Sequence, residues 1–248
     1  MNILASYRYQ MADHKKSIVI FYLVIVALIC VASVSSIVTF HGKINGSGIT
    51  VSGGEFATIV FLFVVGLCTF KETFLFSIQN GSSRKTLFAA KLLTMASVAA
   101  IMSLVDTVLY LIQNALQGFT HVSTHAYRGY ELFFDSTQEA SPVLLQIKSF
   151  FLEFLIALAV MAAGYLITVL FYRLNKAGKI AVSVGVPMLF MFGFPLLDYV
   201  TAWSLTRFFT KASDYAFGTP LHMFISCFLI FAVASGLAFL LMRKAVVR

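Results

Sequence analysis

The sequence predicts an all-α polytopic membrane protein with six transmembrane helices, an N-terminal interfacial helix and both termini in the cytoplasm. Three observations predict it. The chain of 248 residues is 60% hydrophobic, 11% charged and has a mean hydropathy of +0.91, far more apolar than a soluble domain of this length. Six apolar stretches are each long enough to cross a hydrocarbon core of about 30 Å, which takes roughly 20 helical residues. The basic residues fall on alternate sides of these stretches in strongly unequal numbers.

The element order follows from that pattern. Residues 1–16 open with Ile3, Leu4, Tyr7 and Met11 at three- and four-residue spacing, among Asn2, Ser6, Arg8 and Asp13, the pattern of a short helix at a membrane surface. The spans run from Ile18 to Phe40, Phe56 to Ile78, Leu87 to Gln113, Gln146 to Tyr172, Ile180 to Tyr199 and Pro220 to Met242. With the N-terminus inside, the inner segments hold Arg8, Lys15, Lys16, Lys71, Arg84, Lys85, Lys91, Arg173, Lys176, Lys179, Arg243, Lys244 and Arg248. Lys43, Arg128, Lys148, Arg207 and Lys211 remain outside, beside Glu55, Glu131, Asp135, Glu139, Asp198 and Asp214. The positive-inside rule therefore sets the orientation, and the net charge of +8 reads as membrane anchoring and attraction to lipid head groups, not as nucleic-acid binding.

No linker or repeat divides the chain, so residues 1–248 read as one membrane domain. The two longest gaps, about 114–145 and 200–219, are external and carry aromatic stretches suited to the interface. The first apolar run is too long for a cleaved signal peptide. Cys30, Cys68 and Cys227 fall within spans and read as buried packing residues instead of a disulfide framework.

Between spans two and three lies a polar inner corner, Lys71 to Thr86, in which Gly81 stops one helix and Ser82 or Ser83 caps the next. Its stretch Gln79-Asn80-Gly81-Ser82-Ser83-Arg84-Lys85-Thr86, together with the six spans and the amphipathic start, resembles the permease subunits of ABC-2 type ABC transporters, in the small six-span bacterial form. The resemblance implies that the corner is a coupling helix seated in a cytoplasmic ABC ATPase, with Glu72, Phe74, Gln79, Asn80, Arg84 and Lys85 as its contacts and Arg173 to Lys179 as a second contact. It implies two ATPase copies and a second permease subunit, identical or paralogous, in a bacterial plasma membrane. It also implies export, with a hydrophobic or amphipathic cargo such as an antimicrobial peptide, a drug or a lipid-like molecule.

No Gly-x-x-x-x-Gly-Lys-Ser/Thr phosphate loop occurs, so no cofactor is expected on this chain, and ATP and magnesium belong to the partner. Asp106 and Glu153 lie inside spans three and four, each roughly 10 Å below the outer helix end at about 1.5 Å per residue. Intramembrane acids suggest a pathway or gate, or else bond to neighbouring hydroxyls and amides or are protonated. Pro187 and Pro195, near Gly185 and Gly193, should kink span five into a gate or a packing adaptation. Ala232, Ala234, Ser235, Gly236 and Ala238 suit close helix packing by span six. His121 and His125 lack the His-Glu-x-x-His arrangement of a zinc hydrolase, and no metal site is expected. The alternative functions are an intramembrane enzyme using Asp106 and Glu153, or a membrane receptor or substrate-capture component.

Overall fold

The computed structural model describes residues 2–41, 54–120, 128–134, 141–201 and 203–243, and the side chains among them except those of 32–41, 116–120 and 132. His121, His125 and Asp135 lie outside the described residues. The chain order is α1 (Ile3–His41), α2 (Gly54–Cys68), α3 (Phe70–Gln79), α4 (Arg84–Thr120), α5 (Gly129–Phe133), α6 (Pro142–Arg173), α7 (Lys176–Met188), a π-helical turn (Leu189–Gly193), α8 (Phe194–Val200), α9 (Ser204–Phe217) and α10 (Pro220–Arg243). Among the described residues there is no strand, and six segments are long and apolar enough to cross a membrane. The chain is a multi-pass helical membrane protein.

α6 is the hub: it packs along α2 and α10 and also meets α4 and α3. Its crossing with α2 is set by Gly66 and Gly164. A Cβ on Gly66 would stand 2.5 Å from the Met161 carbonyl oxygen, and one on Gly164 would stand 2.6 Å from that of Phe63. Only hydrogen fits at either place, so the backbones touch, and the Thr168 hydroxyl donates across the gap to the Leu67 carbonyl at 2.6 Å. Around this crossing Leu62, Met95, Val98, Met102, Met161 and Val169 form the core. Of the small residues of α10, Ala234, Ser235 and Ala238 turn inward as expected, while Ala232 and Gly236 are exposed and a Cβ on Gly236 would touch nothing within 4 Å. Of the three cysteines only Cys227 is buried; Cys30 and Cys68 sit on outward helix faces, where an apolar bilayer accepts what water would not.

α1 is hydrogen-bonded as helix without a break, so the expected surface segment is continuous with span one. Its inward face there is polar. Ser6, Gln10 and His14, four residues apart, are buried, whereas Ile3 and Leu4 are exposed. Tyr7 donates to the Ser97 hydroxyl of α4 at 3.0 Å, and Tyr9 stacks on Phe76 of α3.

Span five stands apart. No residue of α7 or the π turn is buried, and neither α7 nor α8 has substantial packing on α4 or α6 among the described residues. Pro187 cannot donate to the helix ladder, and the chain takes a π turn immediately after it, so the expected interruption is present. At the end of the span Asp198 folds back on α9, accepting from the Thr206 backbone N–H at 2.9 Å and its hydroxyl at 2.5 Å.

Candidate functional site

The start of α1, the α3–α4 corner and the end of α10 share one end of the bundle, here the corner end; the opposite end is the far end. At the far end four elements meet around a cation that sequence reasoning placed in a loop. Arg128, just before α5, is wholly buried. Its Nε donates to Glu55 Oε1 of α2 at 3.1 Å, and its Nη1 to Gln146 Oε1 of α6 at 2.5 Å. Its Nη2 donates to Thr107 Oγ1 of α4 at 3.0 Å and to Glu153 Oε2 of α6 at 3.3 Å. The guanidinium carbon also lies 5.3 Å from the centre of the Tyr110 ring. A guanidinium taken fully out of water loses several kcal/mol of hydration, which only such a complete set of acceptors restores.

The local sequence explains the placement. Gln146 and Glu153 are two helical turns apart on one face of α6, and Thr107 and Tyr110 are one turn apart on α4. The Arg128 backbone N–H donates to Glu131 Oε2 at 3.0 Å, which starts α5. Next in the chain, the Gly129 N–H donates to the second Glu55 oxygen at 2.6 Å; a Cβ on Gly129 would stand at that same 2.6 Å from Glu55 Oε2. Glu55 at the first turn of α2 therefore fixes the loop through both its oxygens.

Asp106 and Glu153, predicted at similar depth, do meet. Asp106 sits beside Glu153, Thr58 of α2 and Tyr22 of α1. The Tyr22 hydroxyl donates to the Met102 carbonyl at 2.9 Å. Asp106 Oδ2, Glu153 Oε1, Thr58 Oγ1 and Ser103 Oγ are buried without a hydrogen-bond partner among the described residues. Beside Glu55 and Glu153 opens a cavity of about 350 Å³ between α2, α5, α6 and α10, lined also by Tyr130 and Ser149 and mostly by apolar side chains such as Phe56, Ile59, Leu152 and Met223.

No family model, curated protein or solved structure matches the chain.

At the corner end, α3 is a ten-residue helix bounded by Thr69 and Gly81. Thr69 turns its hydroxyl back to the Val65 carbonyl, and Gly81 adopts φ +68°, a left-handed conformation that glycine takes without steric cost. Ser83 caps α4, its Oγ accepting from the Thr86 N–H at 3.1 Å, as its position predicts. Of the six corner residues singled out from the sequence, Glu72, Gln79, Asn80 and Lys85 are exposed. Phe74 is not: it is wholly buried, stacked on Phe70 and edge-on to Tyr172. Arg84 donates to the Arg243 carbonyl at 2.5 Å, tying the start of α4 to the last turn of α10. Phe74 and Arg84 therefore fasten the corner to the bundle, and Lys71, exposed on the same helix, joins its outward row. Pro187 and Pro195 lie in span five, away from Asp106 and Glu153.

A second buried cation lies near the corner. Lys91 of α4 is 2% exposed and its Nζ has no hydrogen-bond partner among the described residues; the Tyr165 ring centre is 5.7 Å away. Lys91 shares a cavity of about 10 Å³, room for roughly one water molecule, with Gln10, Thr69 and Thr73.

Sequence reasoning passed over Arg128 and Glu55 because each sits beside an apolar run and counts there as a loop charge. The four-residue spacing of Ser6, Gln10 and His14 was the available signal for the polar face of α1.

Proposed function

We propose that this chain is the membrane-spanning subunit of an ATP-driven exporter of the ABC-2 type, working as a pair with a second permease and with two cytoplasmic ATPase subunits that bind ATP and magnesium. The observation that carries this reading is the corner: the short helix α3 exposes Lys71, Glu72 and Gln79, with Asn80 of the turn and Lys85 of α4 exposed after it, while its inward row, Phe70 and Phe74, is locked into the core against Tyr165 and Tyr172 of α6. A plain connection needs neither row. A handle so built passes displacement by a partner into α6, and through α6 to α2 and α10. The basic residues gathered at the corner end support a cytoplasmic location for that end and for both termini. A bacterial plasma membrane suits this reading.

In this mechanism the acids and the cavity lie on the far side of the α2–α6 crossing from the corner. ATPase closure tilts α3 and α6 together, and the cavity beside Glu153 changes its access to the outer leaflet. Arg128, which joins α2, α4, α5 and α6, keeps the far end closed until that movement parts them.

The test is recovery of the full-length chain from its host in mild detergent, through a tag on a long linker, with mass spectrometry and an ATPase assay. A stoichiometric ATPase that is lost when Glu72, Gln79 and Lys85 are replaced by alanine, with the membrane fold intact, supports the reading. Recovery of the intact chain alone, in several detergents and in nanodiscs, overturns it. The meeting of Asp106 and Glu153 favours one second reading, an intramembrane hydrolase built on an acid pair. That reading requires hydrolysis of a lipid or peptide by the purified chain alone, abolished by Asp106→Asn.

A further inference from the structure

α9 carries its apolar and polar residues on opposite sides. Leu205, Phe208, Phe209, Ala212, Tyr215 and Ala216 share one side, and Arg207, Thr210, Lys211 and Asp214 the other. No residue of this helix is buried, and Phe208 is 67% and Tyr215 71% exposed. The apolar side faces the neighbouring spans: the Phe209 ring lies 5.6 Å from that of Phe194 on α8, and Tyr215 stacks on His222 of α10 at 4.5 Å. Leu197 and Val200 near the end of α8, and Leu221 and Ile225 near the start of α10, are exposed as well, so this side of α9 continues the lipid-facing surface of two spans. Both ends of the helix are held at the far end of the bundle. Asp198 accepts from Thr206, the Trp203 N–H donates to the Asp198 carbonyl at 2.9 Å, and only Gly218 and Thr219 separate α9 from α10. Arg207 and Lys211, one turn apart, are exposed and in no ion pair among the described residues, and Asp214 is the one acid of the helix.

We propose that α9 is a lipid-binding helix: its apolar side enters the lipid layer at the far end, and Arg207 and Lys211 hold the phosphate of an anionic lipid head group. Apolar area against hydrocarbon and cations against phosphate are the two attractions that keep an amphipathic helix in a membrane interface. A soluble partner would find the apolar side turned toward the spans, whereas a bilayer reaches it without rearrangement. Span five, which has no substantial packing on α4 or α6 among the described residues, is thereby held at this end by lipid. This contact is independent of the transport reading.

The experiment uses the full-length chain in nanodiscs of phosphatidylcholine brominated on its acyl chains. Trp203 is the one tryptophan of the sequence, so Trp203→Phe with Phe208→Trp places a single fluorescent reporter on the apolar side, and Trp203→Phe with Thr210→Trp places one on the polar side. The reporter on the apolar side should be quenched by the bromines and shielded from acrylamide in the water, and the reporter on the polar side the reverse. In mixed discs the apolar-side reporter should favour brominated phosphatidylglycerol over brominated phosphatidylcholine about fivefold, equal to about 1 kcal/mol. Arg207→Gln with Lys211→Gln should bring the two lipids within about twofold and leave the depth of the reporter unchanged. Equal acrylamide quenching of the two reporters overturns the proposal, because the helix then stands in water. Shielding of the apolar-side reporter from both quenchers overturns it too, because protein, a second copy of this chain included, then covers the face. A lipid preference absent from the start, or one that survives the double replacement, overturns the phosphate contact. Should Trp203→Phe fail to fold, Trp203 of the otherwise unaltered chain, one turn before Arg207, reads the same preference and its loss.

Discussion

The two buried cations among the described residues, Arg128 and Lys91, are handled in opposite ways. At the far end Arg128 meets two carboxylates, an amide, a hydroxyl and a ring face, drawn from three helices. Near the corner end the Lys91 ammonium has the ring face of Tyr165 and no hydrogen-bond partner among the described residues. Asp13 acts on it electrostatically without forming an ion pair, and Gln10 Oε1, His14 Nε2, Ser77 Oγ and Ser82 Oγ nearby in α1, α3 and the α3–α4 turn are themselves without partners among the described residues. Complete polar networks rigidify the elements they join, and incomplete ones leave them free to exchange partners. Arg128 is therefore a fixed clasp at the far end, although Asp106 Oδ2, Glu153 Oε1, Thr58 Oγ1 and Ser103 Oγ beside it lack partners among the described residues, while near the corner end the cation itself is without a hydrogen-bond partner.

The most direct way to break the contrast is Arg128→Met. It removes the cation but leaves Glu55 and Glu153 buried, and should cost about 3–5 kcal/mol, measured as unfolding by a denaturing detergent from a mild one. Gly129→Ala attacks the same clasp less severely. Its new Cβ must displace the Glu55 carboxylate, weakening the bonds to Arg128 and Gly129 for a loss of about 1–3 kcal/mol in the same assay.

Lys91→Met should go the other way, with a gain of about 1 kcal/mol, since a buried charge without partners gives way to an apolar chain of similar length. A loss there would show that an anion accompanies Lys91 in the membrane. The smallest effect belongs to Arg84→Gln. It loses a strap to the α10 carbonyls at a partly exposed site and should cost about 0.5 kcal/mol, yet it should loosen exchange protection at the end of α10.

The spans were readable because a bilayer demands long apolar runs and nothing subtler, and the depth of Asp106 and Glu153 followed from counting residues at 1.5 Å each. The corner was readable because Gly81 and Ser83 have local reasons to be where they are. What could not be read were residues whose role depends on where other elements arrive. Arg128 and Glu55 look like topology charges until α4 and α6 close over them. Gly66 and Gly164 look like ordinary membrane glycines until the backbone oxygens of Phe63 and Met161 stand within 2.6 Å of where a Cβ would be. Phe74, which the family resemblance implies as an ATPase contact, faces inward because α6 offers Tyr165 and Tyr172 to the Phe70–Phe74 side of α3.

The strap from Arg84 to Arg243 also has a practical side. It pins the final turn of α10 beside the first turn of α4. A small dye carried on that final turn would therefore sit next to the corner and report the arrival of the ATPase proposed to bind there.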